Sequence, residues 1–157
     1  MNIKQIVVSI ALCGFSTGLH TLPVPHIVVH KPKPSLVGIP KYVQIAARKS
    51  GLPPRLITAV VHIESRGKVD SVSSAGAIGP MQLMGSTAKM MHVNPWNPKE
   101  NIMGGAEYLA QLMQIFGTIK KALIAYNEGP TALTQGKLYP AAERYAVEVI
   151  RYESTEG

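Results

Sequence analysis

The sequence predicts an all-α domain over most of its length, on three observations. Apolar residues recur at helical spacing from position 41 onward, and prolines and glycines stand where such helices would begin and end. No segment of this region alternates apolar and polar residues as a half-buried strand does. Hydrophobic residues make up 46% of the chain and charged residues 16%, which is typical of a folded domain rather than a disordered chain.

The predicted helices follow one another with short breaks. Gly51 is a typical helix stop, and Pro53 and Pro54 mark a helix start, because proline in the first turn sacrifices no hydrogen bond. The helix that follows carries apolar side chains over a wide arc, which predicts burial at the centre of the domain. Gly76 and Gly79 predict a bend. The predicted helices cover residues 41–49, 53–64, 81–91, 101–116, 118–126 and 141–153.

Two segments precede the predicted domain, which spans residues 39–153 and leaves a tail at 154–157. Residues 1–18 have the layout of a secretory signal peptide, with Lys4 ahead of an uncharged apolar run and small residues at Ser16 and Gly18. The run is too short for a stable membrane span, so we expect an exported protein, periplasmic or associated with the cell wall, without one. An uncleaved anchor or an apolar chain start stays open as the alternative. Residues 19–38 are proline-rich and predict an extended linker.

The formal net charge of +7 predicts a polyanionic partner: nucleic acid, anionic lipid or cell wall. Nucleic acid is disfavoured, because the lysines and arginines are dispersed and no basic stretch is interleaved with aromatic residues. His62 and Glu64 form an H-x-E triplet, but the paired cysteines of a zinc deaminase are missing, since Cys13 is the single cysteine. We therefore expect no metal, no cofactor and no nucleic-acid partner.

Glu64 stands at the end of the predicted buried helix and is the candidate catalytic residue. An apolar surface around its carboxyl group would penalise the charged form and raise the pKa. A carboxylic acid that stays protonated near neutral pH can donate a proton to a glycosidic oxygen. The alternative is a solvent-exposed glutamate paired with Arg66. The helix pattern alone leaves both interpretations open.

Three ordered blocks of residues between about Ile39 and Val149 resemble the soluble lytic transglycosylase family. The spacing from Glu64 to Ser73, and on to Gln82, also suits that family. The matching residues are Glu64-Ser65, Ser73, the run from Gly76 to Met84 and Thr87-Ala88 in the first block; Asn97-Pro98, Asn101-Ile102, Gly105, Tyr108-Leu109 and Leu112 in the second; and Ala122-Leu123, the run from Ala125 to Asn127, and Gly129-Pro130 in the third.

The resemblance implies a goose-lysozyme-like helical fold with a glycan-binding groove. It also implies cleavage of the β-1,4 bond between N-acetylmuramic acid and N-acetylglucosamine in peptidoglycan, with Glu64 as the single acid. Glu64 would protonate the leaving oxygen and then accept the proton of the muramoyl C6 hydroxyl. That hydroxyl would attack C1 and close a 1,6-anhydro ring, so that a second carboxylate is not required.

Five substrate-binding roles are implied by the same resemblance. Ser73 would form a hydrogen bond near the acid or the sugar. Gln82 and Met84 would line the sugar subsites. Tyr126 would stand over the cleaved bond close to the acid, and Asn127 would support the turn that carries it.

Two departures from the family pattern bear on rate and substrate choice. Glu128 stands where a small residue is usual, and Ala142 replaces part of a common Glu-Thr pair before Tyr145. Two alternative functions stay open: a muramidase that uses water as the acceptor, and an inactive peptidoglycan-binding scaffold. A small exported domain of this kind also suits work with a secretion, conjugation or pilus assembly machine, although no residue pattern names that partner.

Overall fold

The computed structural model describes residues 38–137 and 140–156, and these are helical, as predicted. The predicted signal peptide and almost all of the predicted linker lie outside the described residues. The short helix α6 has no counterpart among the predicted helices, and residues 154–156, predicted as tail, continue the last one. The helices are Ile39–Ser50 (α1), Pro54–Ser65 (α2), Gly85–Met90 (α3), Pro98–Phe116 (α4), Ile119–Glu128 (α5), Pro130–Thr134 (α6) and Pro140–Glu156 (α7).

The helix ends follow local chemistry that is visible in the sequence. Gly51 ends α1 with left-handed backbone angles, and its N–H donates to the Ala47 carbonyl. Pro54 opens α2, where its missing N–H would have had no partner within the helix. The Asn97 side chain accepts hydrogen bonds from two N–H groups in the first turn of α4, and the Thr118 side chain accepts one in α5. These ends confirm the predicted breaks to within a few residues.

The predicted helix over 81–91 is wrong in its first half, because the observed helix α3 spans Gly85–Met90. The residues before it form a tight loop in which the backbone of Ile78 pairs with that of Leu83, with N···O distances of 2.9 and 3.0 Å. Gln82 has left-handed angles with φ 47°, which ends any helical path there. The Met81 and Leu83 side chains of this loop are buried, so the sequence shows the apolar pattern of a helix although the backbone is not helical.

Helix α2 lies at the centre of the domain and carries Glu64 in its last turn. It contacts α1, α4 and α7. Leu56, Ile57 and Val60 are at most 1% exposed, and burial of each such side chain is worth roughly 1.5–3 kcal/mol. The prediction of a central buried helix is confirmed. Because α2 is fixed on several sides, its last turn is a rigid support for a functional side chain.

Residues 38–137 and 140–156 lack two features. No helix there is both long and apolar enough to cross a bilayer. No three histidine, cysteine, aspartate or glutamate side chains there come together in a way that would hold a metal ion.

Candidate active site

The carboxyl group of Glu64 lies between the end of α2 and the last helix, α7. The Tyr145 hydroxyl donates a hydrogen bond of 2.7 Å to Glu64 Oε1. Burial raises the pKa of Glu64 from its usual 4.5 to about 7, and the hydrogen bond from Tyr145 opposes that rise. At neutral pH a large fraction of Glu64 therefore keeps its proton, which is the state that a general acid needs.

The alternative arrangement, an exposed Glu64 paired with Arg66, does not match this geometry. Arg66 follows the last residue of α2 with left-handed angles (φ 53°), and its side chain is exposed. The salt bridge within the described part of the chain joins Lys120 to Glu143 on the surface, at 3.9 Å. A guanidinium partner would stabilise the charged carboxylate, whereas a phenol partner leaves burial as the dominant effect.

Tyr126, near the end of α5, is the second aromatic neighbour of Glu64. Its hydroxyl donates to the Met81 carbonyl at 2.9 Å, and its ring lies 5.5 Å from the ring of Tyr108. Burial, and then the charge of Glu64, raise the pKa of Tyr126 well above 10. Tyr126 therefore stays protonated and lies close enough to Glu64 to sense its charge. Its implied contact with substrate stays a prediction.

Tyr126 also lines a cleft of about 360 Å³, and we call this cleft the groove. The exposed Met84 thioether and the tyrosine rings offer surfaces for the apolar faces of sugar rings, and the hydroxyl and amide groups offer hydrogen bonds. Three of the predicted binding residues, Met84, Tyr126 and Asn127, thus line one cleft. The full lining is Met84, Ser86, Thr87, Met90, Tyr108, Tyr126, Asn127, Glu128, Gly129 and Pro130.

Ser73 and Gln82 lie in the loop between α2 and α3, and their side chains hold that loop together. Ser73 Oγ accepts a hydrogen bond from the Ala77 N–H at 3.0 Å. Gln82 Nε2 donates to two loop carbonyls, at 2.8 and 3.3 Å. Among the described residues neither side chain has a hydrogen bond to Glu64. No described residue donates to Gln82 Oε1, so the implied sugar contact would use this oxygen as an acceptor for a sugar hydroxyl or acetamido N–H.

Two residues of the site were not assigned a role from the sequence. Tyr145 belongs to α7 and reaches Glu64 across 81 positions, a separation at which no local pattern signals contact. Asn101 is fully buried in α4, and its side chain holds the loop that contains Met81. A polar residue on a buried helix face is unusual, so Asn101 was the more detectable of the two.

The fold and this site together define a lysozyme-like helical domain built around one protonatable glutamic acid. Residues 41–149 match the family model described as the transglycosylase SLT domain, which is more than half of the chain. The chain therefore belongs to the transglycosylase SLT domain family, and the resemblance seen in its three motif blocks is confirmed.

Two similar proteins come from a phage and a bacterium. The chain is 40% identical over 99 residues to a transglycosylase of Enterobacteria phage PRD1, covering 60% of this chain and 37% of the relative. It is 36% identical over 116 residues to the membrane-bound lytic murein transglycosylase F of Pseudomonas fluorescens (strain Pf0-1), covering 67% of this chain and 24% of the relative. The chain thus spans well under half of the length of either relative.

Two solved structures share the fold. Lytic transglycosylase Slt of Pseudomonas aeruginosa, solved as an inactive mutant, superposes with a TM-score of 0.65 at 27% identity, covering 72% of this chain and 23% of that one. The 70 kDa soluble lytic transglycosylase of Escherichia coli superposes with a TM-score of 0.67 at 22% identity, covering 73% and 23%. The prediction of a lysozyme-like all-α fold is confirmed.

Proposed function

We propose that the protein is a peptidoglycan lytic transglycosylase that cleaves the β-1,4 bond between N-acetylmuramic acid and N-acetylglucosamine. One observation carries the proposal: Glu64 is held by Tyr145 and has a pKa raised to about 7 by burial, beside a tyrosine that also lines the groove. The names of the relatives, transglycosylase and lytic murein transglycosylase, support the same substrate class.

The proposed reaction needs one side chain in two protonation states. Protonated Glu64 gives its proton to the glycosidic oxygen as the bond from that oxygen to muramoyl C1 breaks. The resulting Glu64 carboxylate then takes the proton of the muramoyl C6 hydroxyl, whose oxygen bonds to C1 and closes the 1,6-anhydro ring. Glu64 ends the cycle protonated, so protons balance without water. A pKa close to neutral makes one group competent in both steps.

Tyr145 supports this cycle by fixing the carboxyl group. Its hydroxyl engages Oε1, which leaves Oε2 as the oxygen that carries and transfers the proton. The same bond stabilises the carboxylate between the two steps, because a phenol donates more strongly to a charged acceptor. A carboxyl held at one oxygen keeps its orientation relative to the groove through both proton transfers.

The substrate contacts follow from the groove and its neighbouring loop. Met84, Tyr126 and Asn127 would contact the sugar rings directly. Gln82 would accept a hydrogen bond from the glycan, and Ser73, which shares that loop, would add a polar contact. Water as the acceptor, as in a muramidase, is the competing reaction at the same site, and the product distinguishes the two.

The biological setting belongs to the proposal as well. Residues 1–18 support export, and the basic chain would adhere to anionic wall polymers. The relatives named membrane-bound lytic murein transglycosylases support a place of action at the bacterial envelope. The proposal includes a role in opening the wall for a secretion, conjugation or pilus machine, because local cleavage of peptidoglycan is the reaction that such a passage requires.

Loss of turbidity of purified sacculi tests the proposed activity. Wild-type protein is expected to clear the suspension, and Glu64→Gln to leave it unchanged, because glutamine keeps the shape of the side chain but has no proton to give. Glu107→Gln, which alters an exposed glutamate of α4, is the matched control and should clear it at the wild-type rate. Clearing by Glu64→Gln would contradict the assignment of the acid, and no clearing by the wild type would favour a binding scaffold.

A further inference from the structure

The side chain of Asn101 joins three parts of the chain from a fully buried position in the first turn of α4. Asn101 Oδ1 accepts from the Met81 N–H at 2.9 Å. Asn101 Nδ2 donates to the Ile78 carbonyl at 2.8 Å and to the Pro95 carbonyl at 3.0 Å. Both amide hydrogens are used, so the amide is engaged on its two sides and has little freedom to turn.

Met81 connects this amide to the site. Its N–H is held by Asn101, and its carbonyl accepts the hydrogen bond from the Tyr126 hydroxyl. Gly105, one turn after Asn101 on α4, makes room for this arrangement. A Cβ on Gly105 would lie 2.7 Å from Met81 Sδ and 3.0 Å from the Tyr126 hydroxyl. One face of α4 therefore holds the Met81 N–H through Asn101 and, one turn later at Gly105, leaves room for the Met81 side chain.

We propose that Asn101 is a positioning residue for the reaction: through Met81 it directs the Tyr126 hydroxyl away from Glu64, so that Tyr126 presents its ring to the acid. A catalytic role for this positioning rests on the proposed function. The bonding itself is independent of that function, because each of its links is a contact between described residues. The motif resemblance assigned Asn101 no role of this kind.

The direction of the hydroxyl matters because a phenol can affect a carboxylic acid in two opposite ways. A Tyr126 hydroxyl bonded to Met81 adds buried surface beside Glu64 and disfavours its charged form. A released hydroxyl would be free to donate to the carboxylate, or to admit water, and both effects favour the charged form. Loss of the Asn101 amide therefore lowers the pKa of Glu64 and moves the alkaline limit of activity to lower pH.

Asn101→Asp is the sharpest variant, because it is almost the same size. It keeps an oxygen to accept from the Met81 N–H, but even when protonated it can donate only one hydrogen bond where the amide donated two, to the Ile78 and Pro95 carbonyls. Asn101→Ala removes all three bonds. Leu112→Ala is the control, since Leu112 is also buried in α4, about three turns beyond Asn101, and its truncation destabilises the core. All variants are made in the full chain.

Two measurements apply whether or not the protein is active. The pKa of Glu64 is followed by carbon-13 NMR titration of its carboxyl group, and Trp96, the single tryptophan, reports loop release through its fluorescence anisotropy. Trp96 directly follows Pro95, whose carbonyl Asn101 holds. We expect both Asn101 variants to lower the Trp96 anisotropy and to lower the Glu64 pKa by about one pH unit. Leu112→Ala should change neither.

A second mutation tests the route through Tyr126. In a Tyr126→Phe background there is no hydroxyl to release, so Asn101→Asp should leave the Glu64 pKa unchanged. If Asn101→Asp lowers the anisotropy but not the pKa, the residue is structural and the proposal is wrong. A pKa change that persists in the Tyr126→Phe background also overturns it. If sacculi are not cleaved by the wild type, the proposed function fails, while the titration still decides the positioning role.

Discussion

The Tyr145 hydroxyl and the Glu64 carboxyl group, 81 positions apart in the sequence, meet in a hydrogen bond of 2.7 Å. The bond joins the last helix to the end of the central one. Burial raises the pKa of Glu64, and the hydrogen bond from the phenol lowers it. Burial is the larger effect, and the resulting pKa is about 7. Tyr145 thereby keeps the acid titratable within the neutral range.

Tyr145→Phe is expected to raise the pKa of Glu64 above 7, because the substitution removes the donor that favours the carboxylate. Cleavage, which starts from protonated Glu64, should then persist to higher pH, and the alkaline limb of kcat/KM should move up by about one pH unit. The maximal rate should fall by roughly tenfold, since the carboxyl group loses its fixed orientation. The measurement is the pH dependence of glycan release.

Tyr152→Phe provides the control on the same helix. Tyr152 stacks on His62 with ring centroids 4.2 Å apart. Its substitution keeps the ring and should leave the alkaline limb in place. A downward movement of the limb in Tyr145→Phe would contradict the role given to its hydroxyl.

Glu64→Gln is expected to stabilise the protein above neutral pH. A carboxyl pKa raised from 4.5 to about 7 means that the folded state binds the proton more tightly than the unfolded state. The contribution of Glu64 to wild-type stability is therefore greatest below pH 4.5 and is lost as the pH rises through 7, an effect of about 3 kcal/mol. The variant lacks this decline, so its Tm should exceed that of the wild type at pH 8 and approach it at pH 4.5. Equal Tm differences at both pH values would contradict the raised pKa.

Gly105→Ala should destabilise the protein and weaken catalysis together. The added methyl group would lie too close to Met81 Sδ and the Tyr126 hydroxyl. Overpacking of this kind costs about 1–3 kcal/mol, which the better helix propensity of alanine offsets in part. Gly85→Ala is the matched control, because no atom lies within 4 Å of its added methyl group. Thermal unfolding and glycan release measure the two effects, and a neutral Gly105→Ala would contradict the close approach.

Glu128→Gln tests the charge of the groove. Glu128 is exposed in the groove lining, where its carboxylate would repel the stem-peptide carboxylates of the proposed peptidoglycan substrate. The variant should lower KM by about two- to five-fold at low salt, as expected for one screened charge. The gain should vanish near 1 M salt, where the screening length is about 3 Å. A salt-independent gain would point to shape rather than charge.

The central helix could be predicted from the sequence because its signals are local. The apolar arc from Leu56 to Ile63 predicted burial, and Pro54 and Gly51 predicted the breaks around it. The loop at Met81 was mistaken for helix, since buried apolar side chains produce the same pattern whether the backbone is helical or bridged. The hydrogen bonds between Ile78 and Leu83 determine the backbone path, and they cannot be predicted from the residue types because they join backbone groups.

The sequence named several residues of the site, but it did not predict the contacts between them. Met84, Tyr126 and Asn127 line one cleft, and the sugar contacts that the motif resemblance implied stay a prediction. The side chains of Ser73 and Gln82 form hydrogen bonds with the backbone of their own loop. The residue types alone do not predict these partners. The partner of Glu64 depends on how α7 packs against α2, and such a contact is a property of the tertiary structure.

Mass spectrometry of the glycan ends released from purified sacculi tests the central claim most directly. The transglycosylase account predicts 1,6-anhydromuramoyl ends from the wild type and none from Glu64→Gln, because the muramoyl C6 hydroxyl replaces water as the acceptor. Products with reducing muramic acid ends would contradict that account and identify the protein as a hydrolase of the same fold.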